Sequence, residues 1–178
     1  SLDVFAKEIV KIVDVEKFLN LQALRSLASS PHNVYRNIRF FTNRENGKLV
    51  FIPWDVGVFE PDSDLELVTS KFYGKMRLAE EFAYRRNKIL WDYVSSDENL
   101  EDDLRYYDGA FKEIRAALVT DWKKAVSTIS MFKMYRENRK LLVDNFRNVK
   151  DILSDARASI TVYWQNGVPA YFDVANDK

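Results

Sequence analysis

Between Arg36 and Asp55 the chain reads RNIRFFTNRENGKLVFIPWD, two apolar runs joined by a polar turn and closed by a carboxylate beside a tryptophan. Ile38 and Phe40 on one side, and Leu49 and Phe51 on the other, alternate with other residues, the spacing of strands that cover one face. Asn46-Gly47 inside the turn is a strong hairpin signal, because both residue types tolerate positive φ. The stretch predicts a β-hairpin, and the segments around it are spaced as helices.

Leu2, Phe5, Ile9, Val10 and Val13 recur every three or four residues, and Phe18, Leu19, Leu21, Leu24 and Leu27 do so again after Asp14. This predicts two helices, the second capped by Asp14 and ending near Ala28, where Ser29, Ser30, Pro31 and Asn33 break the pattern. A loop then runs to Asn37. After the hairpin, VGVFEPDSDLEL is acidic and carries Gly57 and Pro61, which marks a loop. Three amphipathic helices follow: KMRLAEEFAYRRNKILWDYV as one, LEDDLRYYDGAFKEIRAALVTDWKKAV with a candidate interruption at Gly109, and a long third from Met131 to Trp164 with a candidate division. QNGVPAYFDV reads as a turn and a short extended piece. Repeats, low-complexity tracts and linkers are absent from the sequence.

The 178 residues are 47% hydrophobic and 30% charged, the composition of an ordinary folded chain. That length buries roughly 70% of the unfolded surface around a single core, so one domain spanning residues 1–178 is expected. Twenty-seven basic residues balance twenty-seven acidic ones, which leaves no overall field for nucleic acid or an anionic membrane. With no cysteine and one histidine, His32, a disulfide framework, a thiol nucleophile and the usual zinc ligand sets are excluded. No apolar run spans a bilayer, and SLDVFAKEIVKIVD places acids inside its apolar pattern, unlike a signal peptide. The start at Ser1 without Met is read as a sign of further sequence upstream.

In the helical lobe of protein kinases, a catalytic loop supplies an Asp and, five residues later, an Asn, and a short hairpin returns at a metal-binding Asp. Two oxygen ligands must converge on Mg²⁺ from separate chain positions, and a two-stranded ribbon holds its ends about 5 Å apart. Here Asn37 opens the ribbon and Asp55 closes it.

On these residues the chain resembles the CotH (spore coat protein H) kinase-like family of atypical secreted or surface kinases. The resemblance rests on Asn37 and the aromatic strand after it, NGKLVFIPWD at Asn46–Asp55, the helix VDVEKFLNLQALRSL, and FRNVKDILSDARASITVYW, which is similar to the family's closing helix with its arginine. It covers most of the chain and corresponds to the later part of the family's domain; the strand-rich nucleotide lobe and its phosphate-binding Lys have no evident counterpart. It implies ATP and Mg²⁺ (or Mn²⁺) as cofactors, with Asn37 and Asp55 as nucleotide-linked metal ligands, and a Ser or Thr hydroxyl on a surface or coat protein as acceptor. It further implies an extracytoplasmic, surface or spore-coat location.

Two positions depart from the family's pattern. Five residues before Asn37 stands His32 in place of the expected catalytic Asp, and two residues after Asp55, where the family commonly has a second acid, stands Gly57. A His can accept a hydroxyl proton in a base's place, while the loss of two acids weakens a cation site.

The remaining chemistry-bearing groups read as structural. Glu60, Asp62, Asp64 and Glu66 are a solvated acidic run. Arg77, Arg85, Arg86 and Lys88, interleaved with Glu80 and Glu81, read as an exposed ion-paired helix face. Tyr106, Tyr107, Trp122, Phe132 and Tyr135 read as core and helix-contact residues. The expected fold is mainly α with one β-hairpin, resembling the helical lobe of an atypical kinase. Two functions share that fold: a phosphoryl transferase whose base is His32 or none, and a noncatalytic scaffold in a surface assembly. A plain helical interaction module is a third reading, one with no reason to bring Asn37 and Asp55 together.

Overall fold

The computed structural model describes residues 1–30, 38–54 and 71–155, and the backbone of 157–165 and 168–177. It is mainly α, with the expected hairpin in place. The elements are α1 (Leu2–Ile12), α2 (Val15–Ala28), β1 (Arg39–Thr42), β2 (Leu49–Ile52), α3 (Lys71–Leu78), α4 (Glu80–Val94), α5 (Asp97–Thr120), α6 (Thr128–Ser154), β3 (Arg157–Gln165) and β4 (Val168–Asp177).

Helix α2 is the central beam. Its N-cap is Asp14, whose carboxylate accepts from the Lys17 N–H, and it ends at Ser29, which takes the left-handed conformation at φ 49°. It is apolar on several faces because it is packed on several sides. Phe18 and Leu19 enter one core with Val13, Val15, Tyr73, Met76, Ala79 and Phe82. Ala23 and Leu27 enter a second with Leu90, Val94, Phe146 and Val149.

The segment expected as one helix to Val94 is two, broken at Ala79 (φ −75°, ψ 107°). Tyr73 and Phe82 are nine residues apart, and at about 100° per residue a continuous helix would turn them to opposite sides. The break lets both bury in the Phe18 core. Helix α5 instead runs through Gly109 without interruption, and α6 is undivided.

The long third helix stops at Ser154, short of Trp164. From Arg157 the chain is a strand paired antiparallel with β4, from Arg157↔Asp177 to Gln165↔Val168, with a register shift between Tyr163 and Trp164. The run Ile160-Thr161-Val162-Tyr163-Trp164 is β-branched and aromatic, which prefers extended backbone, and this overrides the helical spacing read there. The structure therefore holds a second ribbon beyond the expected hairpin.

Candidate functional site

The hairpin pairs Arg39↔Ile52, Phe40↔Phe51, Phe41↔Val50 and Thr42↔Leu49. Its turn is longer than a two-residue loop. Asn43 N–H donates to Lys48 O and Gly47 N–H to Asn43 O, both at 2.8 Å. Gly47 alone takes positive φ, 71°, so Asn46 contributes through its side chain, which accepts from Lys48 N–H at 3.0 Å.

The ribbon is tied down along β2. Leu49 forms a parallel bridge with Val13, its carbonyl accepts from Asp14 N–H at 2.9 Å, and Val50 is buried. Phe51 meets the Phe18 ring edge-on at 5.1 Å and stacks on Phe72 at 5.6 Å. Phe40, Phe41, Ile52 and Trp54 are exposed, with the Phe40 ring 5.8 Å from that of its cross-strand partner Phe51 and the Arg39 guanidinium 5.7 Å from the Trp54 ring.

The sequence candidates His32, Asn37 and Asp55 lie outside the described residues, as do Gly57, Glu60, Asp62, Asp64 and Glu66. What is described is the frame beside them. Arg39 follows Asn37 by two residues, Ile52 precedes Asp55 by three, and these two strand ends are paired. Among the described residues no group of three His, Asp or Glu gathers as a cation site.

A second feature adjoins the end of α2, where Ser29 and Ser30 lead toward His32. Phe18, Gln22, Arg25, Ser29, Ser30, Tyr73, Arg77 and Arg86 are among the residues lining a cavity of about 40 Å³. Arg25 is buried; its Nη1 donates to Gln22 Oε1 at 3.1 Å, and the guanidinium lies 5.3 Å from the Tyr73 ring centre. Burial pushes the Arg25 pKa down, with the nearby Tyr73 opposing. Burial likewise pushes the Tyr73 phenol up, partly offset by the Arg25 charge and by Gln22.

Sequence reasoning passed over this cavity, although a signal existed. Arg25 and Gln22 fall at helical spacing from Phe18, on a core-facing stripe where a charged residue is costly. The cationic face of α4 divides in the same way. Arg85 pairs with Glu16 at 2.5 Å and with Glu81, and Lys88 with Asp92, as expected of a surface. Arg86 is buried rather than exposed, because it stands between the buried Phe82 and Leu90 at four-residue spacing; it donates to Asn87 Oδ1.

The aromatic residues divide too. Tyr107, Phe132 and Tyr135 pack between α5 and α6, with Phe111 stacked on Tyr135. Tyr106 and Trp122 are 81% and 84% exposed and are not core residues. In the same region Arg139 forms a two-pronged pair with Asp108 (Nε to Oδ1 2.9 Å, Nη2 to Oδ2 3.1 Å), and the Tyr135 hydroxyl donates to Asp108.

Neither the curated proteins nor the solved structures contain a match to this chain. The model of one protein family, described as CotH kinase protein, matches residues 2–176. With nearly the whole chain matched, and with a hairpin held against a helical body as the resemblance implied, the chain belongs to the CotH kinase family.

Proposed function

We propose that these 178 residues form a single kinase-like helical lobe that transfers the γ-phosphoryl group of ATP to a Ser or Thr hydroxyl of a surface or spore-coat protein. The observation that carries the reading is the pairing of Arg39 with Ile52, on a ribbon anchored through Leu49 to the α1–α2 junction. Such a ribbon tethers the backbone beside Asn37 and Asp55 at strand separation, about 5 Å. An amide oxygen and a carboxylate are the hard donors that Mg²⁺ takes, so the pair fits that cation by chemistry. When bound, Mg²⁺ neutralises charge on the phosphates.

In this reading Asn37 and Asp55 hold the cation, and His32 accepts the proton of the acceptor hydroxyl. In this reading the exposed Phe40, Phe41, Ile52 and Trp54 are the apolar surface that a nucleotide-binding lobe or an acceptor protein would cover.

One sequence observation favours a second reading, a noncatalytic scaffold of a surface assembly: His32 and Gly57 stand where the resemblance implies acids. Incubation of the protein with labelled ATP and Mg²⁺ or Mn²⁺ separates the two. Phosphoryl transfer is expected from the native chain and should fall by about 100-fold or more in Asp55→Ala. Equal transfer by both would sink the metal role of Asp55, and none by either would leave the scaffold.

A further inference from the structure

Arg25 is 4% exposed, yet its Nε and Nη2 have no hydrogen-bond partner among the described residues. A guanidinium stays protonated at physiological pH, so this is a buried positive charge, and such charges are retained in proteins when they are paired. Among the described residues that line the cavity there is no Asp or Glu to pair it. Ser30, 1% exposed, also lines the cavity, and its Oγ has no partner among the described residues.

We propose that this cavity binds one tetrahedral oxyanion, a phosphoryl group, gripped by Arg25 Nε and Nη2 and by Ser30 Oγ. Nε and Nη2 form the edge of a guanidinium that takes an oxyanion two-pronged, and Arg139 uses that same edge on Asp108 in this molecule. The size agrees. A cavity of about 40 Å³ has room for roughly three waters, or for one phosphoryl-sized group in their place, and not for a nucleoside. Arg77 and Arg86 line the same space and add positive potential. The phosphoryl group is either free inorganic phosphate or one carried on a side chain, and the site is independent of the cation site proposed at Asn37 and Asp55.

The test uses the full 178-residue chain without nucleotide or divalent cation. Thermal unfolding is followed in inorganic phosphate and in chloride at matched ionic strength, with phosphate binding measured by calorimetry. At phosphate about 100-fold above its Kd, the midpoint is expected to rise by about 5–10 °C over chloride. Arg25→Lys keeps the charge and loses the fork, and should weaken phosphate binding by about tenfold or more. Ser30→Ala, a smaller change that leaves the charge in place, should weaken it less, and Asp55→Ala should leave it unchanged. O-phosphoserine as a second probe distinguishes the sources: binding as tight as phosphate assigns a carried group, and weaker binding assigns the free ion. Equal midpoints in phosphate and chloride would mean that the cavity holds water only. That result, or unchanged phosphate binding in Ser30→Ala together with Arg25→Lys, overturns the proposal.

Discussion

The N–H of Asp14 donates to the carbonyl of Leu49 at 2.9 Å, and this bond fastens the second strand of the hairpin to the point where α1 gives way to α2. Asp14 is thus a hinge of the architecture in two ways, since its carboxylate also caps α2. A two-stranded ribbon alone is marginal in water, and this one holds its shape because β2 is built into the helical body.

Phe18 is the side chain on which that attachment turns. It is 1% exposed and touches the rings of Phe51, Phe72 and Tyr73. Phe18→Ala should cost about 3–5 kcal/mol in urea-induced unfolding, and Phe18→Leu distinctly less. A loss under about 1 kcal/mol for the alanine variant would show that the core collapses around the gap instead of leaving a cavity.

Gly47 and Gly109 should respond in opposite directions to alanine. Gly47 has open space around it but φ 71°, so Gly47→Ala meets backbone strain alone and should destabilise by about 1–2 kcal/mol. Gly109 lies in the middle of α5 with nothing within 4 Å of an added Cβ, so Gly109→Ala should stabilise by about 0.5–1 kcal/mol. Denaturation of the two variants side by side checks the pair, and effects of the same sign would contradict the turn geometry.

The pair of Asp108 and Arg139 sets an acid-side dependence. Hydrogen bonds from Arg139, and next from the Tyr135 hydroxyl, hold the Asp108 carboxyl below the usual carboxylate range. A depressed folded-state pKa gives stability that is complete above the unfolded value, about 3.9, and is lost as pH falls through the lower folded value. Both side chains are 40% exposed, so the contribution is about 0.5 kcal/mol or less. Asp108→Asn should lose that much at neutral pH and lose less than the native chain as pH falls below about 4. Superimposable acid profiles would remove Asp108 from the account.

Local patterns were legible where the local preference and the packing agree. Asp14 as a cap, the end of α2 at Ala28, and the strands around Leu49 and Phe51 follow from residue type and spacing. Two readings failed where a distant partner decides. The break at Ala79 exists because Tyr73 and Phe82 share the Phe18 core, and Arg86 is buried because its helix face meets that core. The switch to strand at Arg157 was written in β-branched residues that a helical count overlooked. Of the candidate site, His32, Asn37 and Asp55 came from the sequence and lie outside the described residues, while the Arg25 and Ser30 cavity became visible through burial.

Sequence by itself determined the helical class and the hairpin, because periodicity and turn chemistry act over a few residues. Tertiary structure decided which charges are inside. The sequence reading put Arg85 and Arg86 on one exposed face, whereas the packing of α2 against α3 and α4 leaves Arg85 with Glu16 at the surface and encloses Arg86 along with Arg25. Desolvation of a charge depends on what closes over it, and that is set by residues far along the chain.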